Sequence, residues 1–231
     1  MNVLAFDTCF DGCSVCVAEQ REGVFVERAA LLERFVTGHA ERLIPMIGEV
    51  METAGLGFAE LDRIAVTVGP GTFTGTRIGI AAARALALVS GVPTVGVSSL
   101  AVMAEAAQRE LGAELLAVAV DARRNEVYAQ LFGAGGGLDA RTQPQVLPFA
   151  EAAKLGGGGP IVCVGSGAAA VAAAASLAGR HIVASLPELL PNASALARMA
   201  ACLEASDAPL VPLYLRPPDA KPQDGKAVAR A

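Results

Sequence analysis

A glycine-rich loop between a predicted strand and a predicted helix is the feature of this sequence most typical of phosphate binding. Its seven residues are Gly69, Pro70, Gly71, Thr72, Phe73, Thr74 and Gly75. Backbone N–H groups at the start of a helix attract anions, so such a loop could hold a phosphate. The loop is not a P-loop, because only three residues separate Gly71 from Gly75 and no lysine follows. Thr74 also breaks the dinucleotide-binding fingerprint, so the loop alone identifies no activity.

Two aspartates each end a predicted strand and precede a turn and a returning strand. Asp7 is followed by Thr8, and Asp121 is followed by Ala122 and Arg123. In a phosphoryl-transfer enzyme, Asp7 could lie near a magnesium-bound water while the glycine loop holds the phosphate. Two separate carboxylates and a loop without lysine would make a weak site for that chemistry.

The thiol and imidazole groups do not predict a metal site. Cys9, Cys13 and Cys16 have the spacing of an iron–sulfur loop, but three thiolates must converge on one cluster. Cys13 and Cys16 are three residues apart on a predicted strand, so we expect their side chains on opposite faces. The two histidines, His39 and His181, lie far from any cysteine pair with zinc spacing.

The order of the predicted elements indicates a duplicated α/β fold. In the first half we expect a hairpin (3–8 and 13–18), a third strand (24–30) and a helix (39–54) with Thr37 as its N-cap. A strand (63–68), the glycine loop (69–75), a helix (76–90), a strand (92–97) and a helix (99–111) follow. In the second half we expect a hairpin (115–121 and 126–132) and a Gly/Pro-rich stretch (133–160). A strand (161–164), a glycine turn (165–167) and two helices (168–178 and 194–205) follow.

This repeat predicts two actin-like, sugar-kinase-like halves, each a mixed sheet with flanking helices. We expect them to span residues 1–108 and 109–216, with the last helix able to pack back on the first half. Residues 217–231 are polar and contain proline, which predicts a disordered tail. A fold of this kind binds ATP between its halves, which keeps an ATP-dependent kinase or ATPase open as an alternative function.

The charge balance argues against a protein that binds nucleic acid by its own charge. The chain has 18 Lys and Arg against 23 Asp and Glu, a net charge of −5, whereas phosphate contacts need a cationic face. The longest uncharged run, residues 161–179, is rich in Ala and Gly and fits a strand, a turn and a helix better than a membrane span. Five cysteines and the absence of a recognisable signal peptide predict a cytoplasmic protein.

Two predicted helices carry more apolar surface than one side of a sheet requires. In the helix that starts at His39, the apolar residues span about 160° of the helical wheel, against a usual stripe of about 100°. The helix that follows the glycine loop has only Arg77 and Arg84 as charges. We interpret the surplus as a contact with another protein; a helix wholly internal to one large domain is the alternative.

Three motifs carry a family resemblance. They are Gly69-Pro-Gly-Thr-Phe-Thr-Gly-Thr-Arg-Ile-Gly79, Val120-Asp-Ala-Arg-Arg-Asn-Glu-Val-Tyr128 and Leu213-Tyr-Leu-Arg216. Together with Asp7-Thr8 and the spacing of His39 and Leu43, they resemble the TsaB family of bacterial tRNA threonylcarbamoyladenosine biosynthesis proteins. The resemblance covers about residues 1–216.

The resemblance implies a non-catalytic subunit with an actin-like fold. Members of this family are similar to their own partner, the catalytic threonylcarbamoyl transferase, and pair with it through helices of the N-terminal half. The complex modifies the adenosine beside the anticodon in tRNAs that read codons beginning with A, and a small P-loop ATPase joins it. We therefore expect no cofactor in the isolated chain, ATP only in the complex, indirect contact with tRNA, and a homodimer when the chain is alone.

The resemblance also implies roles for individual residues. The catalytic relatives hold a metal with two histidines four residues apart, and Ser99 and Met103 stand at those places here, which puts a metalloprotease activity in doubt. The partner interface is expected at His39, Leu43, Met46, Ile47, Val50, Arg77, Ile78, Gly79 and Ala82. The second hairpin and the interdomain cleft are expected to involve Asp121, Arg123, Glu126 and Tyr128, with an Arg123–Glu126 ion pair as the purely structural alternative. The remaining motif residues are Asp7, Thr8, Tyr214 and Arg216.

Overall fold

The chain folds into two α/β halves with the same sheet topology. The structure is a computed structural model that describes residues 1–205 and 208–216, so the tail predicted over 217–231 lies outside the described residues. The strands of the first half are β1 (Asn2–Asp7), β2 (Cys13–Arg21), β3 (Val24–Glu33), β4 (Arg63–Thr67) and β5 (Thr94–Val97). Those of the second half are β6 (Leu115–Asp121), β7 (Glu126–Gly133), β8 (Gln145–Pro148), β9 (Ile161–Val164) and β10 (Ile182–Ser185).

The strand order shows the duplication directly. The first sheet runs β3-β2-β1-β4-β5, and the second runs β8-β7-β6-β9-β10. In both sheets the first three strands in sequence pair antiparallel with one another in turn. The fourth strand pairs parallel with the first, and the fifth pairs parallel with the fourth. The predicted fold of two duplicated actin-like halves with mixed sheets and flanking helices is therefore confirmed.

Six α-helices complete the described fold and form layers with the two sheets. They are α1 (His39–Ala54), α2 (Phe73–Ser90), α3 (Ser99–Leu111), α4 (Phe149–Ala152), α5 (Ala168–Leu177) and α6 (Ala193–Cys202). Strand β1 shows how the alternation of side chains builds the layers: Leu4 and Phe6 pack with α1 and α2, whereas Val3 and Ala5 face α3 and α6. Helices α3 and α6 form a middle layer between the two sheets. Helices α4 and α5 cover the opposite face of the second sheet.

The C-terminal part of the chain returns to the first half. Helix α6 packs on β1 and β2, where the Ser14 hydroxyl donates to the Pro191 carbonyl and accepts from the Ala193 amide at 3.0 Å. Residues 208–216 then cross the first half, where Leu210 is buried in the core under α1 and α2. The Leu213 amide donates to the Val68 carbonyl at 2.7 Å. The expected boundary between residues 108 and 109 falls inside α3, a helix that both sheets share.

Several predicted element bounds differ from the structure. Gly38, in a left-handed conformation, precedes α1, so Thr37 is not its N-cap. Helix α2 begins at Phe73 rather than Thr76, because the Thr72 side chain caps it by accepting from the Gly75 amide. The short strands β8 and β10 were not predicted, and β8 lies in the Gly/Pro-rich stretch.

The lengths and compositions of the helices bear on whether the chain could cross a membrane. Within residues 1–205 and 208–216, none combines the length and the apolar content that crossing a bilayer would need.

Candidate functional site

Asp7 ends β1 beneath the glycine loop and is sealed from solvent. Its side chain is 2% exposed, and its carboxylate accepts hydrogen bonds from the Thr67 hydroxyl and from the Cys9 amide, the latter at 3.2 Å. Burial raises the pKa of Asp7 from 3.8 to about 6, against the opposing effect of these hydrogen bonds. The carboxylate therefore interacts with the protein itself and does not line the interdomain cleft.

The glycine loop packs tightly on the end of β1. A Cβ atom at Gly71 would lie 2.5 Å from the Cys9 carbonyl oxygen, and one at Gly75 would collide with the Thr8 carbonyl. The Thr72 amide donates to the Cys9 carbonyl at 2.7 Å, and the Thr8 hydroxyl donates to the Gly75 carbonyl at 2.7 Å. The glycines thus permit close backbone packing. The Thr72 amide is therefore bonded within the protein rather than free for an anion, and the Asp7 carboxylate is buried.

The first two loop residues contact α3. A cis peptide bond joins Gly69 to Pro70. The Ser99 amide donates to the Gly69 carbonyl at 2.9 Å, and the Ser99 hydroxyl donates to the Pro70 carbonyl at 2.5 Å. Ser99 and Met103, which the family resemblance aligns with two metal-binding histidines, are both buried in α3. A hydroxyl already bonded to the loop and a thioether in the core cannot replace that pair of ligands.

The cysteines are separated as expected. Cys13 packs in the core under α1 and α2, and Cys16 packs on the other face of the sheet with α3 and α6. Burial raises the pKa of both thiols to about 12, so they remain protonated at neutral pH. No group of three or more potential metal-binding side chains occurs within the described residues.

A cleft of about 510 Å³ lies between the two halves. The glycine loop and the turn of the first hairpin form one wall, and the second hairpin and the loop before α6 form the other. Its charged lining consists of Asp11, Arg34, Asp121, Arg123, Glu188 and Arg216, and its aromatic lining of Phe10, Phe73 and Tyr128. Three arginines and three carboxylates therefore line the cleft, so their formal charges balance. Arg34 joins the two walls by donating to the Glu188 carbonyl at 2.6 Å.

The turn of the second hairpin has an unusual backbone. Arg123, Arg124 and Asn125 all adopt left-handed conformations, with φ of 65°, 58° and 61°. The Asp121 carboxylate accepts from the Arg123 amide at 2.8 Å, and the Ala122 amide donates to the Glu126 carbonyl at 2.9 Å. These hydrogen bonds hold a conformation that non-glycine residues seldom adopt.

The ion-pair partner of Glu126 differs from the expected alternative. Its carboxylate pairs with Arg216 at the end of the described chain, and Arg216 also donates to the Ala122 carbonyl at 2.9 Å. An Arg123–Glu126 pair does not occur. Two motif residues 90 positions apart in sequence thus meet at the edge of the cleft.

Most of the α1 residues expected at the partner interface are buried inside the chain. Leu43, Met46, Ile47 and Val50 are at most 3% exposed and pack on the first sheet. The apolar face of α1 therefore covers its own sheet, and direct contact of these four residues with a partner stays a prediction. Ile44, which is 55% exposed, is the large aliphatic residue that α1 leaves accessible.

The other five residues expected at the partner interface divide between buried and exposed positions. His39 is 8% exposed and its Nε2 lies 2.8 Å from the Phe10 carbonyl oxygen. Gly79 is buried, and a Cβ there would lie 2.7 Å from the Thr8 hydroxyl. Arg77 is exposed, while Ile78 and Ala82 are partly exposed, so a role of these three in partner binding stays a prediction.

Helix α2 nevertheless presents an apolar and aromatic surface. We define the α1–α2 surface by its exposed residues Ile44, Phe73, Arg77, Ala81 and Leu88. At one end, the Arg77 guanidinium lies 3.4 Å from the centre of the Phe73 ring, and its Nε donates to the Tyr214 hydroxyl at 2.7 Å. Phe73 and Tyr214 stack with ring centres 5.7 Å apart. The sequence placed these residues in separate motifs and gave no sign that they meet.

Comparison with known proteins agrees with this architecture. Residues 33–207 match the model of the family TsaD, tRNA N6-adenosine threonylcarbamoyltransferase. The protein named tRNA threonylcarbamoyladenosine biosynthesis protein TsaB in Escherichia coli strain K12 is 39% identical over 128 residues, or 55% of this chain and 53% of that protein. The chain therefore spans about half the length of the curated relatives that carry this name.

Two other relatives match over nearly their full length. An uncharacterized protein of Mycobacterium tuberculosis strain H37Rv is 37% identical over 224 residues, covering 96% of this chain and 94% of that one. The structure of YeaZ from Pseudomonas aeruginosa has a TM-score of 0.74 at 33% identity and covers 93% of this chain and 99% of that chain. The family match, the named relatives and this structural neighbour show that the chain belongs to the TsaB group of the TsaD family.

Proposed function

We propose that this chain is a non-catalytic subunit in the formation of threonylcarbamoyladenosine in tRNA. In this proposal it binds the catalytic threonylcarbamoyl transferase through the α1–α2 surface, and a small P-loop ATPase of the same pathway joins the complex. The names of its relatives support the pathway. One observation carries the non-catalytic role: the Asp7 carboxylate, which would have to face a magnesium-bound water in a phosphoryl-transfer enzyme, is buried and accepts hydrogen bonds from Thr67 and Cys9.

The chain's charge supports an indirect contact with tRNA. A net charge of −5 does not favour binding to a nucleic-acid backbone, so the partner would make most RNA contacts. The exposed apolar residues of α1 and α2 also support self-association through the same surface when the partner is absent. A cytoplasmic location, where tRNA is modified, is part of the proposal.

Reconstitution tests this function. Purified transferase, P-loop ATPase, tRNA, ATP, threonine-derived substrate and this chain are combined, and the modified nucleoside is measured by mass spectrometry after digestion of the tRNA. We expect modification to depend on the chain. The Asp7→Asn variant should retain activity within about threefold, since removing a group that transfers a proton costs roughly 10²–10⁴-fold. Equal modification without the chain would contradict the proposal.

A second candidate function is a small ATP-binding enzyme of the actin-like superfamily. The observation that favours it is the interdomain cleft of about 510 Å³, lined by Arg34, Arg123 and Arg216. Calorimetric titration of the isolated chain with ATP and magnesium separates the two functions. Micromolar binding, with a large loss of activity in Asp7→Asn, would favour the enzyme over the non-catalytic subunit.

A further inference from the structure

Arg77 is held in one orientation by two aromatic side chains. Its guanidinium lies over the Phe73 ring, and its Nε donates to the hydroxyl of Tyr214, a residue 137 positions further along the chain. We call Phe73, Arg77 and Tyr214 the Arg77 stack. Phe73 is 53% exposed and Tyr214 is 48% exposed, so the stack lies on the surface. An exposed cation–π contact contributes only about 0.5–1 kcal/mol, which is little reason to leave two aromatic rings in water.

The stack leaves the outer end of Arg77 available. Within the described residues, its two terminal Nη groups take part in no hydrogen bond or ion pair, because the protein uses only its Nε. Arg84, the other cation of α2, donates to the Leu210 carbonyl. Arg77 is therefore the cation of the α1–α2 surface that is both oriented and available to a ligand.

The geometry indicates what kind of group would bind. The two Nη groups of an arginine form a planar fork that matches a carboxylate through two parallel hydrogen bonds. The Phe73 ring under the guanidinium and the adjacent Tyr214 ring reduce the exposure of that pair to water and offer apolar contact to its neighbours. A single cation among apolar residues suits a single carboxylate on a protein surface, whereas a nucleic-acid backbone would require several cations.

We infer that the Arg77 stack is the anchor of the α1–α2 surface and binds an Asp or Glu carboxylate of the transferase, with Tyr214 as the residue that positions Arg77. This inference rests on the proposed function. Tyrosine and arginine are the residue types most enriched among those that dominate protein–protein affinity. Since the arginine is oriented before binding, less conformational freedom is lost when the complex forms.

The inference also gives the C-terminal segment a role. Tyr214 is kept in place on one side by the Leu213 amide, which donates to the Val68 carbonyl at 2.7 Å. On the other side Arg216 binds the Ala122 carbonyl and Glu126. Residues 208–216 therefore form part of the partner surface, although they are distant in sequence from α1 and α2.

The test is the affinity of the full chain for the purified transferase, measured by isothermal titration calorimetry. We expect Arg77→Ala to weaken binding by about 30-fold or more, the effect of losing a dominant interface residue. Arg77→Lys keeps the charge but loses the fork and should weaken binding by about tenfold. Tyr214→Phe removes only the positioning hydroxyl and should weaken binding by about fivefold.

Arg141→Ala is the matched control. Arg141 is an exposed arginine of the second half, paired with Asp139, and its removal should leave the affinity unchanged. Thermal unfolding of each variant, followed by circular dichroism, verifies that these surface changes leave the fold intact.

Each outcome has a distinct meaning. If the wild type binds the transferase and Arg77→Ala binds it with the same affinity, the inference is overturned and the proposed function stands. Equal losses in Arg77→Ala and Arg141→Ala would reflect general charge and also overturn it, as would an effect of Arg77→Ala on tRNA binding alone. A wild-type chain that does not bind the transferase overturns the proposed function together with the inference.

Discussion

Asp7 is an ionisable group that the chain keeps in its interior at a cost in stability. It is buried under the glycine loop, and its burial raises its pKa to about 6. The folded protein therefore holds a proton on Asp7 over a range of pH in which the unfolded chain, with a pKa of 3.8, has lost it. By linkage, the folded state is favoured most below pH 4, and this contribution is lost as the pH rises to 6.

We predict that the Asp7→Asn variant loses this pH dependence. Between pH 4 and 7 the free energy of unfolding of the wild type should fall, relative to the variant, by up to about 3 kcal/mol, which is the value of a shift of roughly two pKa units. Urea unfolding of both proteins across this range measures the difference. Thr67→Val removes the hydroxyl that donates to Asp7 and should extend the fall to higher pH. Parallel curves for the wild type and Asp7→Asn would contradict the assignment.

At the scale of elements, α1 and α2 divide their surfaces between the chain's own core and the solvent. The sequence predicted that both helices are apolar over an unusually wide arc, and this is consistent with their burial on the first sheet. It could not indicate which part of the arc the sheet covers, because that depends on the helix's rotation. Leu43, Met46 and Ile47 are in the core, and Ile44, between them in sequence, faces water.

Two substitutions on α1 separate these faces. Ile47→Arg places a charge at a position that is 1% exposed, and should lower the free energy of unfolding by about 3 kcal/mol or more. Ile44→Arg changes a residue that is 55% exposed, and should alter stability by no more than about 0.5 kcal/mol while weakening the complex with the transferase. Denaturant unfolding and co-purification measure the two effects. A stable Ile47→Arg protein would contradict the packing of α1.

The limits of sequence-based prediction follow the distance between interacting residues. The hairpins, the buried strands β4 and β9 and the long helices were predicted because each has a local hydrophobic pattern. Asp7 and the glycine loop were predicted as a candidate site, but the burial of Asp7 and the packing of Thr8 and Cys9 against Gly75 and Gly71 could not be predicted. The contact of Arg77 with Tyr214 joins two segments that no local pattern relates.

At the scale of the molecule, the layer of α3 and α6 joins the two halves into one core. Val3, Leu116 and Leu196 belong to the same buried cluster, although they come from the first sheet, the second sheet and the last helix. Neither sheet can therefore lose its inner layer without exposing the other. Arg34 and Glu188 add a second connection at the edge of the cleft.

We predict that the chain unfolds in a single cooperative transition despite its two halves. The calorimetric and van't Hoff enthalpies should agree, since two-state unfolding requires it. Leu196→Ala, at a fully buried position of α6, should lower the free energy of unfolding by about 2–5 kcal/mol and reduce hydrogen-exchange protection in both sheets. Two resolved transitions, or a loss of protection in one sheet alone, would contradict a shared core.

The return of α6 to the first sheet has a consequence for the synthesis of the protein. The inner face of that sheet, including Val3, Ala5 and Cys16, stays uncovered by α6 until Ala193 and the residues after it have been translated. At roughly 5–20 residues per second, the interval after Val97 lasts about 5–20 s. During this time the nascent first half exposes apolar surface that only the end of the chain can cover. Messages truncated before α6 should therefore yield aggregation-prone fragments rather than a folded half.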